Sequence, residues 1–96
     1  MKYFILFYET VDAFVEKRTP FRATHLMHAQ NAVDAGRLLL GGALENPADK
    51  AVLLFRGVDE QVAIDFAKND PYVQQGLITK WEVRPWKVML GTQMEK

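Results

Sequence analysis

The sequence predicts an α+β domain in which a four-stranded, antiparallel-type sheet carries two helices on one face. Three observations lead there. A short aromatic and β-branched run, KYFILFYE, opens the chain and reads as a strand, being too short and too rich in such residues for a helix. Two later stretches place apolar residues at helical spacing behind Thr-Pro and Asp start signals. The remaining apolar runs are short and bounded by Gly, Pro and Asp, as strands are.

In the first strand, Phe4, Leu6 and Tyr8 share one face and Tyr3, Ile5 and Phe7 the other. Both faces are apolar, which places it centrally with something covering each side. Residues 9–18 carry charge and little periodicity and read as a loop. Thr19 and Pro20 then start a helix: threonine can cap free amides, and proline suits the first helical position because it has no N–H to satisfy. The helix runs to about Ala35, with Gly36 as its C′ residue and Leu26, Ala29 and Val33 as its apolar face.

RLLLGGALE is the second strand, weakened or bulged at Gly41-Gly42. NPADK turns into the third, AVLLFRG. Asp59 caps a second helix whose Val62, Ala63, Phe66 and Ala67 form a buried stripe. Pro71 disfavours helical geometry at Asp70 and ends that helix; PYVQQG is a turn or one helical turn. LITKWEVRPWKVML is the last strand, with Pro85 marking an edge or a bend. The tail from Gly91 reads as frayed. The order β-α-β-β-α-β is the ferredoxin-like, split βαβ pattern.

One domain spanning residues 1–96 is expected from the length. Apolar residues make up 49% and charged residues 25%, which excludes a disordered chain. Formal net charge is zero and no basic block exists, so nucleic-acid binding has no electrostatic support. There is no cysteine and no serine, which excludes disulfides, zinc–thiolate sites and Ser or Cys nucleophiles. A small secreted domain usually needs disulfides, so a cytoplasmic location is expected. The run from Tyr3 to Tyr8 is too short to span a membrane and no small-residue cleavage site follows it. With both helices on one sheet face, the other is left apolar and bare, and a homodimer with two sheets face to face is expected to cover it.

The candidate chemistry centres on FRATHLMHAQ, which holds both histidines of the chain. His25 and His28 lie one helical turn apart, but no Glu stands between them in an H-E-x-x-H pattern, and no metal site is expected. His28 falls nearly opposite Leu26 and Val33 and reads as a solvated surface residue. His25 lies on the flank of the buried face, where it can be half-desolvated and tuned by a carboxylate. The plainer alternative is a core-edge histidine bonded to a backbone carbonyl. Arg22 adds positive charge on the same rim. Asp70, fixed before Pro71, is the best carboxylate partner, although Asp before Pro also simply opens turns. With both helices taken to start from the same end of the sheet, His25 lies about 9 Å and Asp70 about 16 Å along their axes. That offset permits the pairing without requiring it. Asp34 is too far along its own helix to reach His25. Tyr8, Tyr72, Trp81 and Trp86 can line an apolar pocket.

The motifs Arg22-x-x-His25-Leu26, Gly36-Arg37-Leu38-Leu39, Asp70-Pro71-Tyr72, Gly76 and Arg84-Pro85-Trp86, in this order and spacing, resemble the YCII-related family, from Met1 to about Val88. The chain departs from the family's common Gly-Pro at Gly42-Ala43. The resemblance implies a ferredoxin-like protomer, a dimeric α/β barrel, and a catalytic dyad of His25 and Asp70. A dehydrochlorinase-like lyase activity on hydroxylated aromatics is associated with that family. Two functions follow as expectations. The first is a small, cofactor-independent enzyme using His25 and Asp70 for acid–base elimination or isomerisation on a small cyclic or aromatic compound, with Arg22, Tyr72 and Tyr8 around the ligand. The second is a homodimer that binds a small ligand, or serves structurally, without turnover.

Overall fold

The computed structural model describes residues 1–91, so the predicted fraying beyond Gly91 lies outside the described residues. Four strands, β1 (Lys2–Thr10), β2 (Leu38–Ala43), β3 (Lys50–Gly57) and β4 (Ile78–Trp86), form one sheet in the order β2-β3-β1-β4. Every neighbouring pair is antiparallel. This is the ferredoxin-like α+β arrangement. Leu6 stands opposite Leu53 on one side and Val83 on the other, so β1 is central and β4 is an edge. Pro85 lies in β4, where a missing N–H costs no interior ladder bond. A register shift between Leu38 and Leu40 bulges β2 just before Gly41-Gly42.

The helices are α1 (Phe14–Lys17), α2 (Arg22–Asp34), α3 (Gln61–Asn69) and α4 (Pro71–Gln74), with a 3-10 turn at Thr19–Phe21 ahead of α2. The short α1 lies inside the stretch expected to be loop; one turn is too brief for periodicity to show. Thr19 is not the cap expected of it: it is the first residue of the 3-10 turn, Pro20 is the second, and the N-cap position falls to Arg18. Asp59 does accept from the Gln61 amide at 2.9 Å. Gly36 takes φ +75° just after α2, the left-handed C′ geometry glycine favours. At Gly57 a Cβ would stand 2.9 Å from Val62 Cγ1, so the absent side chain is what lets α3 close on the end of β3.

The core lies between the sheet and the helices. Phe4, Leu6, Tyr8, Leu53 and Phe55 face Ala63, Phe66, Ala67 and Tyr72. Here α3 buries the stripe its spacing predicts. The expected face of α2 is wrong: Leu26 is 51% and Val33 46% exposed, whereas Ala32 is buried and His25, His28 and Ala29 are half-buried. Helix α2 turns its histidine and alanine side inward because polar partners await it there.

A second correction explains where those partners are. Since β1 and β3 are antiparallel, the helices that follow them return in opposite directions. They do not start from the same end of the sheet. The first turns of α2 therefore lie beside the end of α3, and the offset expected between His25 and Asp70 disappears.

Candidate active site

Asp70 sits at the corner between α3 and α4, with extended backbone at ψ 122°. Pro71 imposes that geometry, and the side chain then turns back to accept from the Tyr72 amide at 3.0 Å. It is the buried charged residue of the core, with no exposed surface. Burial of a carboxylate costs several kcal/mol unless donors replace its water. Three do so. The Tyr72 N–H and His25 Nδ1, at 2.8 Å, share Oδ1, and the Tyr8 hydroxyl donates to Oδ2 at 2.8 Å.

His25 comes from the first turns of α2. With Nδ1–H donated to Asp70, its neutral ring keeps a lone pair on Nε2. The ring lies flat on Tyr72, centroids 3.8 Å apart and planes within 7°. Phe14 meets the same tyrosine edge-on at 5.4 Å. The side chain of His25 keeps 16% of its surface exposed. The ring is thus oriented from one nitrogen, stacked on one face and open at the rim.

Both tyrosines hold their protons. Burial first, then the nearby Asp70 charge and the hydrogen bond to it, push Tyr8 far above its ordinary value near 10. Burial also raises Tyr72, opposed by the positive charges of Arg18 and Arg22. Tyr8 therefore acts toward Asp70 as a donor.

The structure brings together His25, Asp70, Tyr8 and Tyr72. Arg22 is exposed at the start of α2, close enough for its charge to act on Tyr72. Trp81 stands opposite Tyr8 on β4 and is half-buried. Trp86 does not join them: it pairs with Tyr3 on the open sheet face and is 47% exposed. His28 is not a solvated surface residue. Its Nε2–H donates to the Phe66 carbonyl at 2.9 Å and its ring stacks on Phe66 at 4.3 Å. The Asp70 amide turns to Ala67 O, so the Phe66 carbonyl lacks its usual helical donor, and His28 supplies one. The signal for this was Pro71, which ends α3 and orphans its last carbonyls. Facing different partners, the two histidines do not converge on an ion. Among the described residues no three His, Asp or Glu side chains cluster as metal ligands.

The dyad geometry stands on the residues that carried the resemblance, and the match is confirmed over most of the chain: the family model of the YCII-related domain covers residues 1–87. The chain belongs to the YCII-related family. An uncharacterised protein of Haemophilus influenzae is 29% identical to this YCII-related chain over 94 residues, covering 88% of it and 96% of the relative. Among solved structures, 5-chloro-2-hydroxyhydroquinone dehydrochlorinase from Burkholderia phenoliruptrix, in complex with 2,5-dihydroxybenzoquinone, superposes with a TM-score of 0.74 at 18% identity. That match covers 88% of this chain and 93% of the other. A provisionally assigned antibiotic biosynthesis monooxygenase from Bacteroides thetaiotaomicron matches at TM-score 0.60 and 10% identity, over 99% and 95% of the two chains. At such identities the structural matches establish the fold alone. Among the described residues no helix is long and apolar enough to cross a membrane.

Proposed function

We propose that this YCII-related protein is a small enzyme performing general acid–base chemistry, an elimination or an isomerisation, on a small cyclic or aromatic compound. The observation that carries the reading is the 2.8 Å contact between His25 Nδ1 and a fully buried Asp70. A carboxylate that accepts at Nδ1 orients the imidazole and leaves Nε2 as the base. The family membership and the dehydrochlorinase neighbour favour the same class.

In an elimination, Nε2 takes a proton from the substrate, the bonding pair becomes the new double bond, and a leaving group such as halide departs with its electrons. In an isomerisation, the imidazolium returns its proton at another atom. Either sequence balances without redox change, so no cofactor is required. In this reading Arg22 holds developing negative charge on a substrate oxygen, and Tyr72 supplies a flat wall. Asp70 and Tyr8 act on the substrate only through His25 and are positioning residues.

The working unit in this reading is a homodimer. The sheet face away from the helices carries Ile5, Phe7, Leu40, Val52, Leu54 and Trp86, with Leu40 71% exposed, and a second copy would bury it.

The test is turnover of a panel of hydroxylated and halogenated ring compounds by wild type and His25→Ala. Turnover by wild type that falls about 10²-fold or more in the variant is the expected result. Conversion that survives in His25→Ala removes the reading. Binding without conversion across the panel favours the ligand-binding alternative, which gains from one observation: Asp70 also ties Tyr8 and Tyr72 together in the core.

A further inference from the structure

We propose a second binding site, separate from the His25–Asp70 pair: a cleft between α2 and α3 that takes a small zwitterion, an α-amino acid with an apolar side chain, its carboxylate on Arg37 and its ammonium on Asp65. His25, Asp70, Tyr8 and Tyr72 do not line this cleft, so the inference is independent of the acid–base reading.

The cleft has a volume of about 480 Å³, within the range of small-molecule pockets. Ala32, Val62, Phe55 and Phe66 give it an apolar floor, the two phenylalanine rings 5.1 Å apart. At Ala32 the inward side of α2 carries only a methyl group, which leaves depth between the helices.

The walls are sorted by chemistry. Asn31 and Arg37 come from α2 and the corner after it, Asp65 and Asn69 from α3. The Arg37 backbone is fixed at its corner, the amide donating to Ala32 O at 3.0 Å and the carbonyl accepting from the Arg56 amide at 2.8 Å. Asp65 and Asn69 stand one turn apart. Gln61 Nε2 donates to Asp65 Oδ1 at 2.7 Å, which steadies the carboxylate and leaves Oδ2 to accept. Asn69 gives its NH₂ to the Asp65 carbonyl at 2.8 Å, so its Oδ1 is a second acceptor. His28 also lines the cleft. With Nε2–H donated to Phe66 O, its Nδ1 keeps a lone pair.

Arg37 and Asp65 thus carry opposite charges on one cleft without pairing. Among the described residues the ion pairs are His25–Asp70 and Lys50–Asp49. A simple anion at Arg37 is repelled by Asp65, and a simple cation at Asp65 is repelled by Arg37. A molecule bearing both signs satisfies both walls at once, and that difference makes the site selective.

The test titrates L-phenylalanine, 3-phenylpropanoate and 2-phenylethylamine into isotopically labelled protein, followed by NMR. The three share a phenylethyl body and carry both charges, the carboxylate alone and the ammonium alone. L-phenylalanine is expected to bind at least about tenfold more tightly than either analogue. It should move the His28 ring signals and the side-chain amides of Asn31 and Asn69, and leave the His25 ring in place. Arg37→Gln should weaken L-phenylalanine at least about tenfold while 2-phenylethylamine binds as before, which shows the cleft still folded. Asp65→Asn should do the reverse, sparing 3-phenylpropanoate, and Arg37→Lys should fall between wild type and Arg37→Gln. No binding, L-phenylalanine no tighter than its analogues, an affinity untouched by either charge-removing variant, or signals that move at His25 instead of His28 overturns the inference.

Discussion

The Tyr8 hydroxyl donates to Asp70 Oδ2 at 2.8 Å from the side opposite His25, so the central strand clamps the carboxylate that orients the histidine. Removing the donor leaves a fully buried oxygen unsatisfied. Tyr8→Phe is therefore expected to cost about 1–3 kcal/mol of stability. Urea unfolding measures it; a variant as stable as wild type would mean that the hydroxyl does not hold Asp70.

The same contact sets an alkaline limit. Tyr8 has its pKa raised in the folded state, from an unfolded value near 10. The stability it contributes is complete below pH 10 and is lost as pH rises beyond that, because only the unfolded chain releases the proton. The loss approaches about 1.4 kcal/mol per pH unit for one such group. Comparing wild type with Tyr8→Phe between pH 9 and 11 isolates it from the lysines. The wild type should fall more steeply by one proton's worth, and parallel profiles would contradict the buried, protonated tyrosine.

His28 carries a different expectation. Its Nε2–H fills the place of the missing amide at Phe66 O, and its ring stacks on Phe66. His28→Ala removes both and should destabilise by about 1–3 kcal/mol, with amide exchange rising first at the end of α3. A solvated surface histidine would cost almost nothing on replacement, so calorimetry of this variant decides between the two.

These relationships also show what the amino-acid order made legible. The strands were readable because their apolar runs are short and bounded, and the bare sheet face because β1 is apolar on both sides. The stripe of α3 was readable because Ala63, Phe66 and Ala67 follow the helical period and are buried. Helix α2 misled for a physical reason. It buries histidines and alanines and leaves Leu26, Met27 and Val33 exposed, because hydrogen bonds to Asp70 and Phe66 O dock it where apolar contact was expected to. Those bonds exist only once the helices run antiparallel, a property of strand pairing that no local pattern displays. The pairing of His25 with Asp70 could be named from the family motifs, but Tyr8 as its third member could not. Nothing near Tyr8 in the chain marks its partner 62 residues away.

The open sheet face gives a prediction about assembly. Ile5 pairs with Leu54 and Phe7 with Val52 across the two central strands, and Leu40 flanks Leu54 from β2. A stable dimer typically buries about 800 Å² per partner, and this face is where the apolar residues for such a contact gather. A charge at its centre should be intolerable there and harmless in a monomer. Leu54→Glu is expected to convert a dimer to folded monomers by light scattering behind a sizing column. A wild type that elutes as a monomer at micromolar concentration would remove the sheet face as an interface.

The orientation of His25 can be checked without knowing any substrate. An acceptor at Nδ1 forces the neutral ring to carry its proton there, leaving Nε2 unprotonated. In Asp70→Asn the amide can present either its oxygen or its NH₂ to the ring, and an NH₂ would favour the opposite tautomer. Long-range nitrogen–proton NMR at a pH where the ring is neutral distinguishes the forms. Wild type should show the Nδ1–H tautomer for His25 and the Nε2–H tautomer for His28, which donates to a carbonyl. In Asp70→Asn the preference of His25 should relax while that of His28 stays. An Nε2–H tautomer at His25 in wild type would place the available lone pair against Asp70 and take away the base on which the acid–base reading depends.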